Sequence, residues 1–204
     1  MRQLLRLAGR MFDRPLLIEA RHFEKYVMVL EDRLLGRSTG AAFPDRAHAG
    51  RMERDVPVNG RPGNPATAEG SIHVIDVLGP LVKRESGDAL SGGPTTYLQI
   101  RDAFRNALAD PAVRGIVLNI DSPGGEVGGL FSLCDEIHAA RASKPIYAVA
   151  DDAFSAAYGI ASAASRVFLA PDGGAGSIGC YAAHLDQSAF DEKVGVKFTY
   201  VFRG

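Results

Sequence analysis

The chain is expected to fold as an α/β domain with a mostly parallel sheet covered by helices. Two observations predict this. From residue 71 onward, short apolar runs bounded by Gly, Pro or Asp alternate with stretches whose apolar residues recur every three or four positions. Strands and helices taking turns in this way, with no internal repeat, mark a parallel sheet with helical crossovers.

Taken in order, residues 1–35 form an N-terminal helical segment, in which Phe23, Val27, Leu30, Leu34 and Leu35 follow Leu16, Leu17 and Ile18 and suit an amphipathic helix from about Glu19 to Leu35. Such a helix either packs on its own domain or docks on a partner. Residues 36–70 lose all periodicity, carry repeated Pro and Gly, and read as a flexible linker too polar to bury an apolar face. The core spans residues 71–204. Ile72 to Leu78 reads as a strand closed by Gly79-Pro80, and Ser86 to Pro94 as a Gly/Ser-rich loop. Thr96 to Leu108 is helical with Leu98, Ile100, Phe104 and Leu108 inward, stopped by Asp110-Pro111. Val113 to Ile120 is a buried strand, and Glu126 to Ala142 a helix turning Val127, Leu130, Leu133, Cys134 and Ile137 inward. There follow a strand Pro145 to Ala150, a helix of very small residues Ser155 to Ala164, a short strand Val167 to Leu169, a helix Gln187 to Val194 and a strand Lys197 to Phe202.

Composition excludes several classes. With 204 residues, 46% hydrophobic and 23% charged, the chain has the make-up of an ordinary globular domain with an appendage. A net charge of −1 gives a nucleic-acid partner no support. Residues 1–70 hold 12 basic against 9 acidic residues, too slight an asymmetry to name a partner. No apolar run reaches membrane-span length, and Arg6 and Arg10 interrupt the basic start before a signal-peptide core forms, so a cytoplasmic protein is expected. Cys134 and Cys180 read first as two buried thiols in a reducing compartment and second as a disulfide.

Two loops carry the chemistry. Ser155 follows an apolar strand and opens a helix containing Ala156, Ala157, Gly159 and Ala161, so a substrate carbonyl could approach its hydroxyl closely. Serine is also a common helix N-cap, and taken alone that reading would win. The second loop, Ser122-Pro123-Gly124-Gly125, leaves a buried strand and can present backbone N–H groups to a developing oxyanion. It is neither a Gly-x-Gly-x-x-Gly nor a phosphate-binding loop, which disfavours nucleotides. Of five histidines, His22 and His48 lie outside the regular core, and His73 and His138 read as structural. A Ser155–His184–Asp186 triad is the weaker reading, because Asp at that spacing more often caps a helix. Lys83, Lys144, Lys193 and Lys197 lie in stretches that do not obviously bury an amine, as a lysine base requires. No cofactor and no metal is expected.

The motifs Val74-Ile75-x-Val77-x-Gly79-Pro80-Leu81, Asn119-Ile120-Asp121-Ser122-Pro123-Gly124-Gly125, Ser155-Ala156-Ala157-Tyr158 and Gly176-Ser177-Ile178-Gly179 together resemble the signal peptide peptidase A family of serine peptidases. The Ser-Ala-Ala-Tyr form, with Ala182-Ala183-His184-Leu185-Asp186 and Gly195-Val196-Lys197, is most similar to its phage and prophage branch, the head maturation (capsid assembly) proteases of the lambda protein C type. The resemblance implies the Clp-protease/crotonase-like α/β superhelix, Ser155 as nucleophile, and an oxyanion hole from Gly124 or Gly125 with the N–H of Ala156. It implies a lysine base held by Ser177, and oligomers of identical subunits. It further implies protein substrates such as capsid, scaffold or portal proteins. The family lysine falls a few residues past an aromatic-x-Gly that here is Phe202-Arg203-Gly204, so the base is expected outside these residues and the 204-residue chain is expected to be weakly active or inactive. Two rival readings are a structural or scaffolding module of capsid assembly and, lower, a crotonase-like acyl-CoA enzyme.

Overall fold

The computed structural model describes residues 16–18, 53–57, 70–84, 94–180, 182, 186, 188–197, 199, 201 and 203. Its main sheet has the order β2-β3-β6-β8-β9, where β2 is Glu53–Pro57, β3 Ser71–Leu78, β6 Val113–Ser122, β8 Ile146–Phe154 and β9 Arg166–Gly176. All neighbours in it run parallel except β2, which lies antiparallel on β3. A smaller sheet has the order β1-β7-β4-β5, built from β1 Leu16–Ile18, β4 Leu81–Val82, β5 Thr95–Thr96 and β7 Gly124–Glu126.

Twice the chain runs up a long strand, turns sharply into a short one of the smaller sheet, and then enters a helix. The first unit is β3, β4 and β5 followed by α1 (Tyr97–Ala109), and the second is β6 and β7 followed by α2 (Leu130–Ala140). Strand β8 instead passes straight into α3 (Ala156–Ala163). The helices bury Tyr97, Ile100 and Phe104 of α1, Leu130, Leu133 and Ile137 of α2, and Ala156, Ala157, Ile160 and Ala161 of α3 in one core with Ile75, Leu118, Ile120, Ala148 and Ala150 of the sheet. Helix α1 starts at a reciprocal cap, Thr96 Oγ1 accepting from the Gln99 N–H while the Gln99 side chain accepts from the Thr96 N–H. Glu136 of α2 pairs with Arg101 and Arg105 of α1 across the helix surface.

The expected parallel α/β architecture is found, with local corrections. Leu16–Ile18, placed in an N-terminal helical segment, form strand β1, because Gly124–Glu126 offers them an edge to pair with. Residues 53–57, assigned to the linker by composition, form β2, because Asp55 and Glu53 hydrogen-bond the buried His73 ring at 2.7 and 3.1 Å and Arg54 pairs with Asp76. The linker composition hid a strand held by polar contacts. The helix expected from Glu126 begins at Leu130, since residues 124–126 join the smaller sheet; Leu98 is exposed, Tyr97 taking its inward place, and Val127 and Cys134 are half-buried. The strands expected at 145–150 and 167–169 lengthen to β8 and β9 because each pairs with the other past a bulge near Asp152, whose carboxylate accepts from the Gly174 N–H. Residues 197, 199 and 201 carry no strand, and Val201 is 91% exposed: alternating apolar residues make a strand only where a neighbour offers hydrogen bonds. Cys180 is exposed rather than buried. The helix Gln187 to Val194 is found as α4 (Ser188–Val194). The helix expected over 19–35 and most of the 86–94 loop lie outside the described residues.

Candidate active site

The corner at Ser155 is built by conflict between two regular structures. The Ser155 N–H still donates to the Gly176 carbonyl of β9 at 2.7 Å, as a strand residue would, while its carbonyl already accepts from Gly159 N–H at 3.0 Å, as the first residue of a helix would. Meeting both demands forces φ 53 and ψ −111 on a residue with a Cβ. Such a conformation costs on the order of 1–3 kcal/mol and persists only where the surroundings impose it. An ordinary N-cap would use its hydroxyl to satisfy the helix's first amides, yet Ser155 makes no side-chain cap. Its Oγ instead donates to the Gly179 carbonyl at 3.3 Å, with the residue only 4% exposed. The Ala156 N–H, in the first turn of α3, has no intrahelical acceptor.

The glycine turn lies on the neighbouring strand end. Ser122, the last residue of β6, pairs in register with Ala153 of β8, so the glycine turn and Ser155 leave the same end of the sheet from adjacent strands, each two residues beyond that rung. Helix α3 packs against β7 and closes the pair into one corner. Gly124 has φ 95, which a side chain would strain. The Ser122 hydroxyl accepts from the Gly124 N–H at 3.1 Å and donates to the Gly79 carbonyl at 2.6 Å, tying the exits of β3 and β6 together. Gly125 lies so close to β4 that a Cβ would sit 1.8 Å from the Leu81 carbonyl oxygen.

The site residues read from sequence thus gather unevenly. Ser155, Ala156, Gly124 and Gly125 share one end of the sheet. Ser177 follows Gly176, the register partner of Phe154, so it leaves β9 beside Ser155; it too has a positive φ, 52, and it is exposed. His184 lies outside the described residues. Lys144 is at the other end of β8, its ammonium donating to the Ala107 and Asp110 carbonyls at 2.8 and 2.5 Å. Lys83, Lys193 and Lys197 are exposed.

Sequence reasoning missed the groups that brace the turn from behind. The Tyr97 hydroxyl donates to the Glu126 carbonyl at 2.5 Å, and a Glu126 carboxylate oxygen accepts from the Lys83 N–H at 2.9 Å, although Glu126 is buried. No spacing rule could have found them, because α1 meets β7 only through the fold. Burial, then the neighbouring Glu126 carboxylate, pushes the Tyr97 phenol far above its ordinary value of 10.0. A phenol raised in the folded state leaves stability intact below its unfolded value and drains it as pH rises beyond. Tyr97→Phe is therefore expected to cost about 1 kcal/mol at pH 7 and to flatten the fall in melting temperature above pH 10. An unchanged alkaline slope would count against this buttress.

Burial likewise pushes the Cys134 thiol up to about 11, so its thiolate fraction at pH 7 falls about a hundredfold below that of an unperturbed thiol. Maleimide is expected to label the exposed Cys180 first and Cys134 slowly, as mass spectrometry of a time course will read. Equal rates would contradict the packing around α2.

A serine at a strand-to-helix corner, beside a glycine turn on the adjacent parallel strand, defines an α/β protein of the Clp-protease/crotonase-like class. Residues 138–204 match the model of Peptidase family S49. The whole chain aligns with two phage proteins: at 34% identity with Head-tail preconnector protein GP5 of Enterobacteria phage P21, over 42% of that protein, and at 33% with Capsid assembly protease C of Escherichia phage lambda, over 48% of it. Protease 4 of Salmonella typhi is 38% identical over 119 residues, 57% of this chain and 19% of that protein. The chain is thus similar to phage head proteins and, over residues 138–204, to the peptidases of family S49. It spans less than half the length of the phage relatives. Among the described residues no helix is long and apolar enough to cross a membrane.

Proposed function

We propose that this chain carries the nucleophile and oxyanion hole of a serine endopeptidase that processes phage head proteins. The observation that supports this most is the Ser155 corner: a buried hydroxyl held in a strained conformation and not spent on capping. Strain of this kind gathers at reactive residues because only a selected geometry keeps it in place.

In this reading Ser155 Oγ attacks the scissile carbonyl. The charge that develops on the carbonyl oxygen is held by the Ala156 N–H, at the positive end of α3, and by the Gly125 N–H, or by that of Gly124 once it exchanges the Ser122 hydroxyl for the oxyanion. The amine leaves with the proton that Oγ gave up, and water then hydrolyses the acyl-enzyme by the reverse sequence. The base we propose is a lysine that the family pattern puts beyond Gly204, positioned by Ser177. The substrates would be capsid, scaffold or portal proteins, the chain would act as a homo-oligomer in the host cytoplasm, and nucleic acid would play no part.

The test is co-expression, with those head proteins, of a chain carrying the lysine, and mass spectrometry of the products. Processing that disappears with Ser155→Ala is expected. Undiminished processing would remove the nucleophile assignment. Head assembly that proceeds normally without any processing would favour a structural module.

A further inference from the structure

Strand β7 has two edges. One is taken by β4, with Leu81 opposite Gly125, and cannot open without breaking the β3–β4 unit. The other is covered by β1, antiparallel, with Leu16 opposite Glu126, Leu17 opposite Gly125 and Ile18 opposite Gly124. On the reading above, a peptide whose carbonyl rests at Ser155 must lay its flanking backbone along β7, because the glycine strand leads away from that corner and α3 closes the space behind it. Extended peptides are held in this way, by adding a strand to a sheet edge. The edge they need is the one that β1 fills.

We infer that β1 is a built-in pseudosubstrate strand, which competes with incoming extended polypeptide for the open edge of β7. The inference rests on the peptidase reading of Ser155 and adds the regulation of that site. Three features support it. The strand is only 3 residues long, so few ladder hydrogen bonds hold it. It comes from a point 106 residues before the first residue of β7 and shares no hairpin with it, so its release leaves the β6–β7–α2 unit connected. Its polarity also runs it from Glu126 toward Gly124, so the chain heads for the corner rather than away from it. A tethered competitor acts at an effective concentration near millimolar, and free peptide then sees an affinity lowered by the fraction of molecules that are open.

The test uses the full 204-residue chain and a fluorescein-labelled peptide of residues 12–21, carrying a photo-crosslinker. In an antiparallel ladder only one of two successive residues turns its N–H to the neighbour. Leu16→Pro and Leu17→Pro therefore control for each other: one removes a donor aimed at β7, the other a donor aimed away. By fluorescence anisotropy the first should bind the peptide at least tenfold more tightly than wild type, and its neighbour less so, with the crosslink mapping to residues 122–126. In wild type, hydrogen exchange of residues 16–18 should be far faster than that of β6. Equal peptide affinity in all three proteins, a crosslink elsewhere, or β1 amides as protected as β6 would overturn the inference. Tight capture by the open variant, together with processing that survives Ser155→Ala in the lysine-bearing chain, would keep the pseudosubstrate strand and remove the nucleophile assignment.

Discussion

Replacing Ser155 should abolish peptidase activity in a chain bearing the lysine, by a factor of at least about 10³, and should do so identically for Ala and Gly. The two variants should differ in stability. Both lose the Oγ donor to the Gly179 carbonyl, a bond worth about 1 kcal/mol. Alanine keeps the Cβ that makes φ 53 costly, whereas glycine adopts that conformation freely. Ser155→Gly is thus expected to be about 1–2 kcal/mol more stable than Ser155→Ala in urea unfolding. Equal stability would mean that the corner is not strained, and the principal support for the proposed chemistry would be lost. Fluorophosphonate gives an independent readout: adducts that form on other serines and spare Ser155 would count against the nucleophile assignment.

Gly125→Ala should be the most damaging single methyl in the described core. The new Cβ would meet the Leu81 backbone at 1.8 Å from its oxygen and 2.6 Å from its carbonyl carbon. Backbone atoms cannot rotate aside, so β4 and β7 must part. Loss of that pairing and of the packing behind it is expected to cost about 3 kcal/mol or more, and to misplace the glycine turn. Gly128→Ala is the matched control, since its nearest neighbour is the flexible Lys83 side chain at 3.6 Å. Circular dichroism melts should show a large fall for the first and almost none for the second. Similar melting temperatures would show that the smaller sheet tolerates separation.

Much of this site could be read in advance because its parts are local. A serine after an apolar strand, followed by alanines and glycine, and a Ser-Pro-Gly-Gly turn after another strand are short-range patterns; each states its own backbone geometry. What lay beyond reach was long-range. Leu16, Leu17 and Ile18 make too short a run for any period, and only the partner Gly124–Glu126 makes them a strand. Residues 53–57 read as linker because their polar side chains find partners, His73 and Asp76, only on β3. Tyr97 and Leu98 are adjacent apolar residues on one helix, and nothing local says that the tyrosine faces inward to reach Glu126.

By itself, the sequence determined the alternation of strands and helices, the two loops and the residue types in them, because hydrophobic period and turn chemistry act over a few residues. The tertiary structure alone decided that those loops share one corner, that Ser155 is strained there, and that β1 covers the glycine strand. Pairing between distant strands depends on which edges and faces remain open once the rest of the core has packed, and no local pattern encodes that.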